Sequence, residues 1–221
     1  MSKYKAIIFD MDGTIVDTCH IWDAANKELL RQKNICGSEL DKRGINKRMD
    51  GLALPECCQV IKETLGIEDS LKDLILQKQT IAYSLYKQQI RFISGFENFH
   101  AALQLQAIPT SIATNADDMI IHLTDKALNL RKFFGDHIYG ISAVNHVCKP
   151  DPSIYIHAAE KLGIAPEECI AIEDSSSGIA AARKAGMFCV GINTSKQRER
   201  LTQAHTIIDD YRELVLEELL G

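Results

Sequence analysis

The sequence predicts an α/β fold, a three-layer core on a parallel sheet, with a small all-α domain inserted after the first strand. Along most of the chain, short apolar runs ending in polar residues alternate with amphipathic stretches of helical period. That is the pattern of parallel strands buried on both faces by crossover helices. Residues 18–90 break the alternation, carrying helical patterns and turn signals but no convincing strand. An interruption of that length inside one strand-to-helix connection usually serves a function.

The first strand is "KAIIFD" (5–10), and Gly13 beyond it permits a tight turn. The insert follows, with helices at "IWDAANKELLRQK" (21–33), "PECCQVIKETL" (55–65) and "SLKDLILQKQTIAYSLYKQQI" (70–90). The turn signals "CGSEL", "MDGLALP" and "LGIEDS" separate them. The expected domains are therefore a core of residues 1–17 and 91–221 and a helical cap of residues 18–90. Within the core, helices are expected at 96–106, 117–130, 152–162 and 176–185, the last ending at Gly186 as a C-cap. Between them lie strands "IPTSIATN" (108–115), "CIAIED" (169–174) and "MFCVGIN" (187–193), a weaker one at "HIYG" (137–140) and an edge strand at "TIID" (206–209).

Composition narrows the class. The chain has 221 residues, 46% hydrophobic and 25% charged, as in ordinary globular proteins. A net charge of -5 leaves no broad basic face for a nucleic acid. The seven cysteines are scattered and form no C-x-x-C pair, which suits free thiols in a reducing compartment. No apolar run approaches the ~20 residues of a membrane helix, and a strand begins too early for a signal peptide. A soluble, cytoplasmic monomer with no nucleic-acid or membrane partner is expected.

In an open α/β sheet, ligands bind outside the carboxyl ends of the strands. There the sequence places Asp10 and Asp12, Thr114 and Asn115, and Glu173 and Asp174, with Lys149 in the loop "HVCKPDPS". Residues i and i+2 of an extended segment share a face, so Asp10 and Asp12 can share a site. Two adjacent carboxylates resist joint ionisation unless a cation intervenes. With Asp174 and Glu173 they make an all-oxygen set suited to Mg2+. A carboxylate beside Mg2+ can act as a covalent nucleophile, and an acid two residues on can exchange protons with leaving group and water. Lys149, Thr114 and the Asn115 backbone suit the oxygens of a transferring phosphoryl group. Glu173 and Asp174 equally suit a helix N-terminus near Ser175.

The motifs "DMDGT", "VDT", "ATN", "KPDPSIY" and "IEDSSSGIAAARKAG" resemble the haloacid dehalogenase superfamily. The resemblance is narrower still to its beta-phosphoglucomutase-like phosphatases and mutases with a helical cap. It covers essentially the whole chain and implies a Rossmann-like core. It also implies that Asp10 is the nucleophile and a Mg2+ ligand, and that Asp12 is the acid/base offering its carbonyl to the metal. Thr114 and Lys149 would bind phosphoryl oxygens. Asp174 would complete the protein ligands, with Glu173 direct or through water. Asp12 argues against carbon–halogen chemistry, since the superfamily's dehalogenases lack this acid.

The cap sets the substrate. In the mutase that names the subfamily, an arginine lies three residues after a cap glycine, whereas here Gly51 is followed at that distance by Leu54. Trp22 replaces a histidine of that mutase. Both departures favour a phosphatase acting on a small phosphorylated metabolite such as a sugar phosphate, with the phosphosugar mutase as the alternative. Arg48 or Lys47 could substitute for the missing arginine, and His20, Trp22 and Arg48 are the candidate cap contacts. A phospho-acceptor signalling module or an inactive binding scaffold fits less well, given the insert and the complete acid set.

Overall fold

A computed structural model describes residues 3–49, 52 and 54–221. The chain divides into two compact units, Met1–Asp17 with Ile90–Gly221, and Thr18–Gln89. Ile90, which the apolar pattern gave to the insert, groups with the larger unit because the preceding helix ends at Gln89.

Among the described residues the larger unit is built on six strands: β1 (Ala6–Phe9), β2 (Thr110–Ala113), β3 (Ile138–Tyr139), β4 (Cys169–Glu173), β5 (Phe188–Ile192) and β6 (Thr206–Ile208). All pairings are parallel, in the order β3-β2-β1-β4-β5-β6. The α/β architecture expected from the alternation of runs is thus present. The chain starts in the middle, builds outward through β2 and β3, then returns to the other side of β1. That reversal creates a switch point at the carboxyl end of β1, where neighbouring crossovers lead to opposite faces. Phe9 is in register with Ile112 and Ile172, so the three central strands end along one line.

The two faces of the sheet are packed differently. Ala6 and Ile8 point to one face with Ala171, Cys169 and Cys189. Against them lie Ala158 and Ala159 of one helix (Ser153–Leu162) and Ala181 and Ala182 of another (Ser176–Lys184). Small side chains on both sides let helix and strand approach closely. On the other face Phe9 meets Phe96, Phe99, Phe134 and Tyr211 at ring separations of 5.8–6.5 Å. Strand alternation sends Ile8 and Phe9 to these opposite faces.

Among the described residues the smaller unit holds five helices: α1 (Cys19–Gln32), α2 (Glu39–Lys42), α3 (Ile45–Met49), α4 (Leu54–Leu65) and α5 (Leu71–Gln89). Leu29, Leu30, Leu40, Ile45, Cys58, Ile61 and Leu74 make its core. Here α2 and α3 lie where the sequence suggested only turns. A helix of one turn has too few residues to display a period, and these two are stabilised by burying Leu40, Ile45 and Met49. Another departure follows the helix α7 (Asp118–Leu128), itself preceded by α6 (Phe96–Leu105). Asn129, at φ 54, ends α7 in a left-handed cap, and a separate short helix, α8 (Arg131–Phe134), follows. The two helices beneath the small-residue face are α9 and α10, and α11 (Leu216–Leu220) closes the chain. Among the described residues no helix is long and apolar enough to cross a membrane.

His100 lies within the aromatic layer with no exposed surface, its ring 4.8 Å from that of Phe134 and Nε2 3.0 Å from Thr110 Oγ1. Burial pushes its pKa down to about 4 from 6.5. The folded chain therefore keeps His100 neutral where the unfolded chain would protonate it, and stability falls as pH drops through that window. His100→Gln should remove this component: between pH 7 and pH 4.5 the wild type is expected to lose about 2 kcal/mol more unfolding free energy than the variant. Urea denaturation at the two pH values checks it, and equal losses would refute the assignment.

Candidate active site

The first loop turns sharply as it leaves β1. Asp10 donates its backbone N–H to Ile172 O at 3.0 Å, and Met11 O accepts from the N–H groups of both Ile15 and Val16. Gly13 adopts φ 81 at the turn, a conformation that disfavours other residues. Two distant hydroxyls tie the loop down: Thr194 Oγ1 donates to Gly13 O at 2.6 Å, and Tyr211 OH to Thr14 O at 3.1 Å. Thr14 Oγ1 in turn donates to Asp174 Oδ1 at 3.3 Å.

Lys149 is the cation of the site and is only 4% exposed. Its Nζ lies 2.6 Å from Asp10 Oδ1 and 2.6 Å from Glu173 Oε1, bridging the ends of β1 and β4. The Asn115 side chain holds the Lys149 backbone, with Lys149 N donating to Asn115 Oδ1 at 2.9 Å. Tyr155 OH donates to Glu173 Oε1 at 2.8 Å, while Ser175 donates to Oε2 from its N–H at 3.2 Å and its hydroxyl at 2.9 Å. Four donors thus converge on the Glu173 carboxylate, about as many as its lone-pair sites accept.

Burial dominates the electrostatics. It pushes the Asp10 pKa up to about 7, although Lys149 opposes the shift; Glu173 and Asp12 reinforce it. Burial also raises Asp174 well above the usual carboxylate range, with the negative charges of Asp10 and Glu173 adding to the effect. For Lys149, burial opposes the charge but Asp10 and Glu173 outweigh it, so its pKa is raised. The ammonium therefore stays protonated, and the acids compete for the little negative charge that the site tolerates.

Asp10, Glu173 and Asp174 each offer one carboxylate oxygen within 4.8 Å of the others'. The donor set is all oxygen, with Asp10 and Glu173 buried and Asp174 half-buried, which fits a hard divalent cation with several positions left to water or substrate. Glu173 has its four donors already, whereas Asp10 accepts from Lys149 and Asp174 from Thr14. Those last two are the carboxylates with the most room for an ion. Asp12 lies outside this trio, yet its charge is felt at both Asp10 and Asp174.

Among the other residues singled out by sequence, Thr114 is buried just beyond the end of β2 and its Oγ1 accepts from Ala116 N at 3.1 Å. His20, Trp22 and Arg48 belong to the smaller unit. His20 is exposed; Trp22 packs edge-on against Tyr86 at 6.1 Å; Arg48 Nη1 donates to Thr64 Oγ1 at 2.7 Å. Gly51 lies outside the described residues. The helix N-cap near the acids is Ser175, whose hydroxyl accepts from Gly178 N at 3.1 Å, not Glu173 or Asp174.

Tyr155 and Ser175 were missed as site residues. Both lie inside quoted motifs, "KPDPSIY" and "IEDSSSG", but a tyrosine on a helix reads as core until its hydroxyl is seen on Glu173. The smaller unit also buries Lys78, its Nζ 5.8 Å from the centre of the Trp22 ring. Its place in the apolar stripe of α5 gives no hint of a special setting.

Comparison with known proteins agrees with this geometry. The chain is 28% identical over 223 residues to beta-phosphoglucomutase of Bacillus subtilis, covering 97% of this chain and 93% of that protein. It is 27% identical over 183 residues to a phosphorylated carbohydrates phosphatase of Thermotoga maritima, covering 83% and 82% respectively. Hexitol phosphatase B of Escherichia coli O157:H7 is 26% identical over 225 residues, with 98% and 96% covered. Among solved structures, a family IA hydrolase of Entamoeba histolytica superposes with a TM-score of 0.79 at 26% identity, covering 98% of this chain and 97% of that one. The family profile described as haloacid dehalogenase-like hydrolase matches residues 4–186. With that match spanning most of the chain, and the fold and acid cluster in agreement, the chain belongs to the haloacid dehalogenase-like hydrolases.

Proposed function

We propose that this chain is a Mg2+-dependent phosphatase of small phosphomonoesters, sugar phosphates foremost, acting through an aspartyl-phosphate on Asp10. The observation that carries this reading is the buried Lys149 bridge between Asp10 and Glu173 at the sheet's switch point, with Asp174 and Asp12 beside it. The names of the three relatives, two phosphatases of phosphorylated carbohydrates or hexitols and one sugar-phosphate mutase, support the substrate class.

In this chemistry the Asp10 carboxylate attacks phosphorus, forming an O–P bond as the ester oxygen departs with its electron pair. Asp12 gives that oxygen a proton. Once the alcohol has left, Asp12 takes a proton from water as it attacks the phosphorus, and Asp10 is released as a carboxylate. Lys149 neutralises phosphoryl oxygens while Glu173 holds it in place, and Thr114 with the Asn115 backbone supplies further hydrogen bonds. Asp10 and Asp174 would hold the magnesium ion, with Glu173 direct or through water. When bound, the ion supplies charge neutralisation between the nucleophile and the incoming phosphate. Substrate choice is assigned to the helical unit, with His20 and Trp22 as candidate contacts.

The mutase alternative is favoured by the Bacillus subtilis relative, and differs in returning the phosphoryl group to a sugar hydroxyl. Leu54 at the position of the expected arginine and the engagement of Arg48 by Thr64 weigh against it. Phosphate release from a panel of sugar phosphates, with β-glucose 1-phosphate followed for isomerisation, separates the two. Free phosphate is expected; glucose 6-phosphate without release would transfer the assignment to a mutase.

Asp10→Asn should abolish turnover, and Asp12→Asn should lower kcat by about 10²–10⁴-fold, the usual range for a lost acid/base. Steady-state phosphate release measures both, and full turnover in Asp10→Asn would refute the nucleophile assignment. EDTA should stop the wild type and excess Mg2+ should restore it. Turnover that persists through exhaustive chelation would remove the metal from the proposal.

A further inference from the structure

Resting on the phosphatase reading, we propose that Gly178 is a positioning residue for the active site: its absent side chain is the space that the Glu173 carboxylate occupies. A Cβ built on Gly178 would fall 1.7 Å from Glu173 Oε1, 1.9 Å from Cδ and 2.2 Å from Oε2. Those distances lie far inside van der Waals contact, so an alanine and the carboxylate cannot share the position. A flexible side chain could swing aside, but this one is fully buried and held by Lys149, Tyr155 and two donors of Ser175. Moving it would leave the Lys149 ammonium with one carboxylate partner where it now has two, and would loosen Asp10 in turn.

The local sequence makes the choice informative. Gly178 lies in the first turn of α10 at an ordinary helical position, not among the residues of positive φ. Its backbone therefore gains nothing from being glycine, and helix propensity favours alanine there. The neighbouring acid shows the same device from another element: a Cβ on Gly13 would fall 2.2 Å from Asp174 Oδ2. Consecutive carboxylates, Glu173 and Asp174, each fill a slot left by a glycine, one behind β1 and one at the start of α10. Gly13 also requires its positive φ, so only Gly178 tests the space alone.

The experiment compares wild type, Gly178→Ala, Glu173→Asp and the double variant. Thermal unfolding is followed in the magnesium-free protein, and kcat and KM for p-nitrophenyl phosphate are measured at saturating Mg2+. Gly178→Ala is expected to lower Tm, against the helix-propensity trend, and to lower kcat by about 10–100-fold, the range for lost support of an active-site ligand, with KM changed less. Shortening the acid by one methylene draws the carboxylate back from the new Cβ. Adding Gly178→Ala to Glu173→Asp should therefore cost less in both Tm and kcat than adding it to the wild type. A Gly178→Ala protein with raised or unchanged Tm and a kcat within twofold of wild type would overturn the inference, as would independent effects in the double variant. If the wild type itself releases no phosphate, the phosphatase reading fails, and the Tm comparison alone decides the positioning role.

Discussion

Three carboxylates clustered at one end of a sheet, two of them buried, would suppress one another's ionisation, and the ammonium of Lys149 is what allows the cluster to exist. Removing a charge from water costs several kcal/mol even after relaxation, and Lys149 and Glu173 are almost wholly enclosed. The pair survives because nearly every polar atom is satisfied. Lys149 meets two carboxylates and Glu173 meets four donors. Such a network is a weak source of net stability but a strong determinant of position, since any misplacement leaves a buried charge without its partner. The site's geometry is thus held by electrostatic necessity more than by the stiffness of any one loop.

That necessity draws on the whole topology. Asp10 leaves β1, Lys149 arrives after β3 at the sheet's edge, Glu173 ends β4, and Tyr155 comes from α9 beneath. Asp10, Lys149 and Glu173 are far apart in sequence, so the bridge can form only once strand order and register are set. The packing of the small-residue face serves the same end. The alanines of α9 and α10 against Ala6 and Ala171 bring Tyr155 and Ser175 close enough to reach Glu173. An aromatic layer of the kind found around Phe9 would hold those helices farther off.

What the sequence made legible follows from the same physics. Buried parallel strands advertise themselves by apolar runs, and the residues just beyond them are the ones a switch point exposes. Asp10, Glu173 and Asp174, which the fold brings together, could accordingly be picked out by strand position alone, and Lys149 by its place in the loop before α9. Tyr155 and Gly178 could not, because each acts on a partner far along the chain: one through a hydroxyl, the other through a missing atom. The one-turn helices α2 and α3 were hidden for a different reason. They form because a few apolar residues are buried, and a segment of four or five residues carries no period to detect. The end of α7 was the nearest miss, since an asparagine at position 129 is a recognised left-handed cap.

The core residues do not by themselves choose between hydrolysis and transfer to a sugar. Under the proposed chemistry an aspartyl-phosphate on Asp10 can be taken by water or by an alcohol, and Asp12 can deprotonate either. A mutase must retain a highly anionic bisphosphate while it turns over in the site, and retention of that charge calls for a second cationic grip. Leu54 stands where the resemblance expects an arginine, and Arg48, the nearest substitute, already spends a donor on Thr64. A neutral sugar alcohol without such a grip leaves before it can reattack, and water inherits the phosphoryl group. Under the proposed chemistry hydrolysis is then the expected outcome at this acid cluster, and mutase activity is what a further cation would have to add.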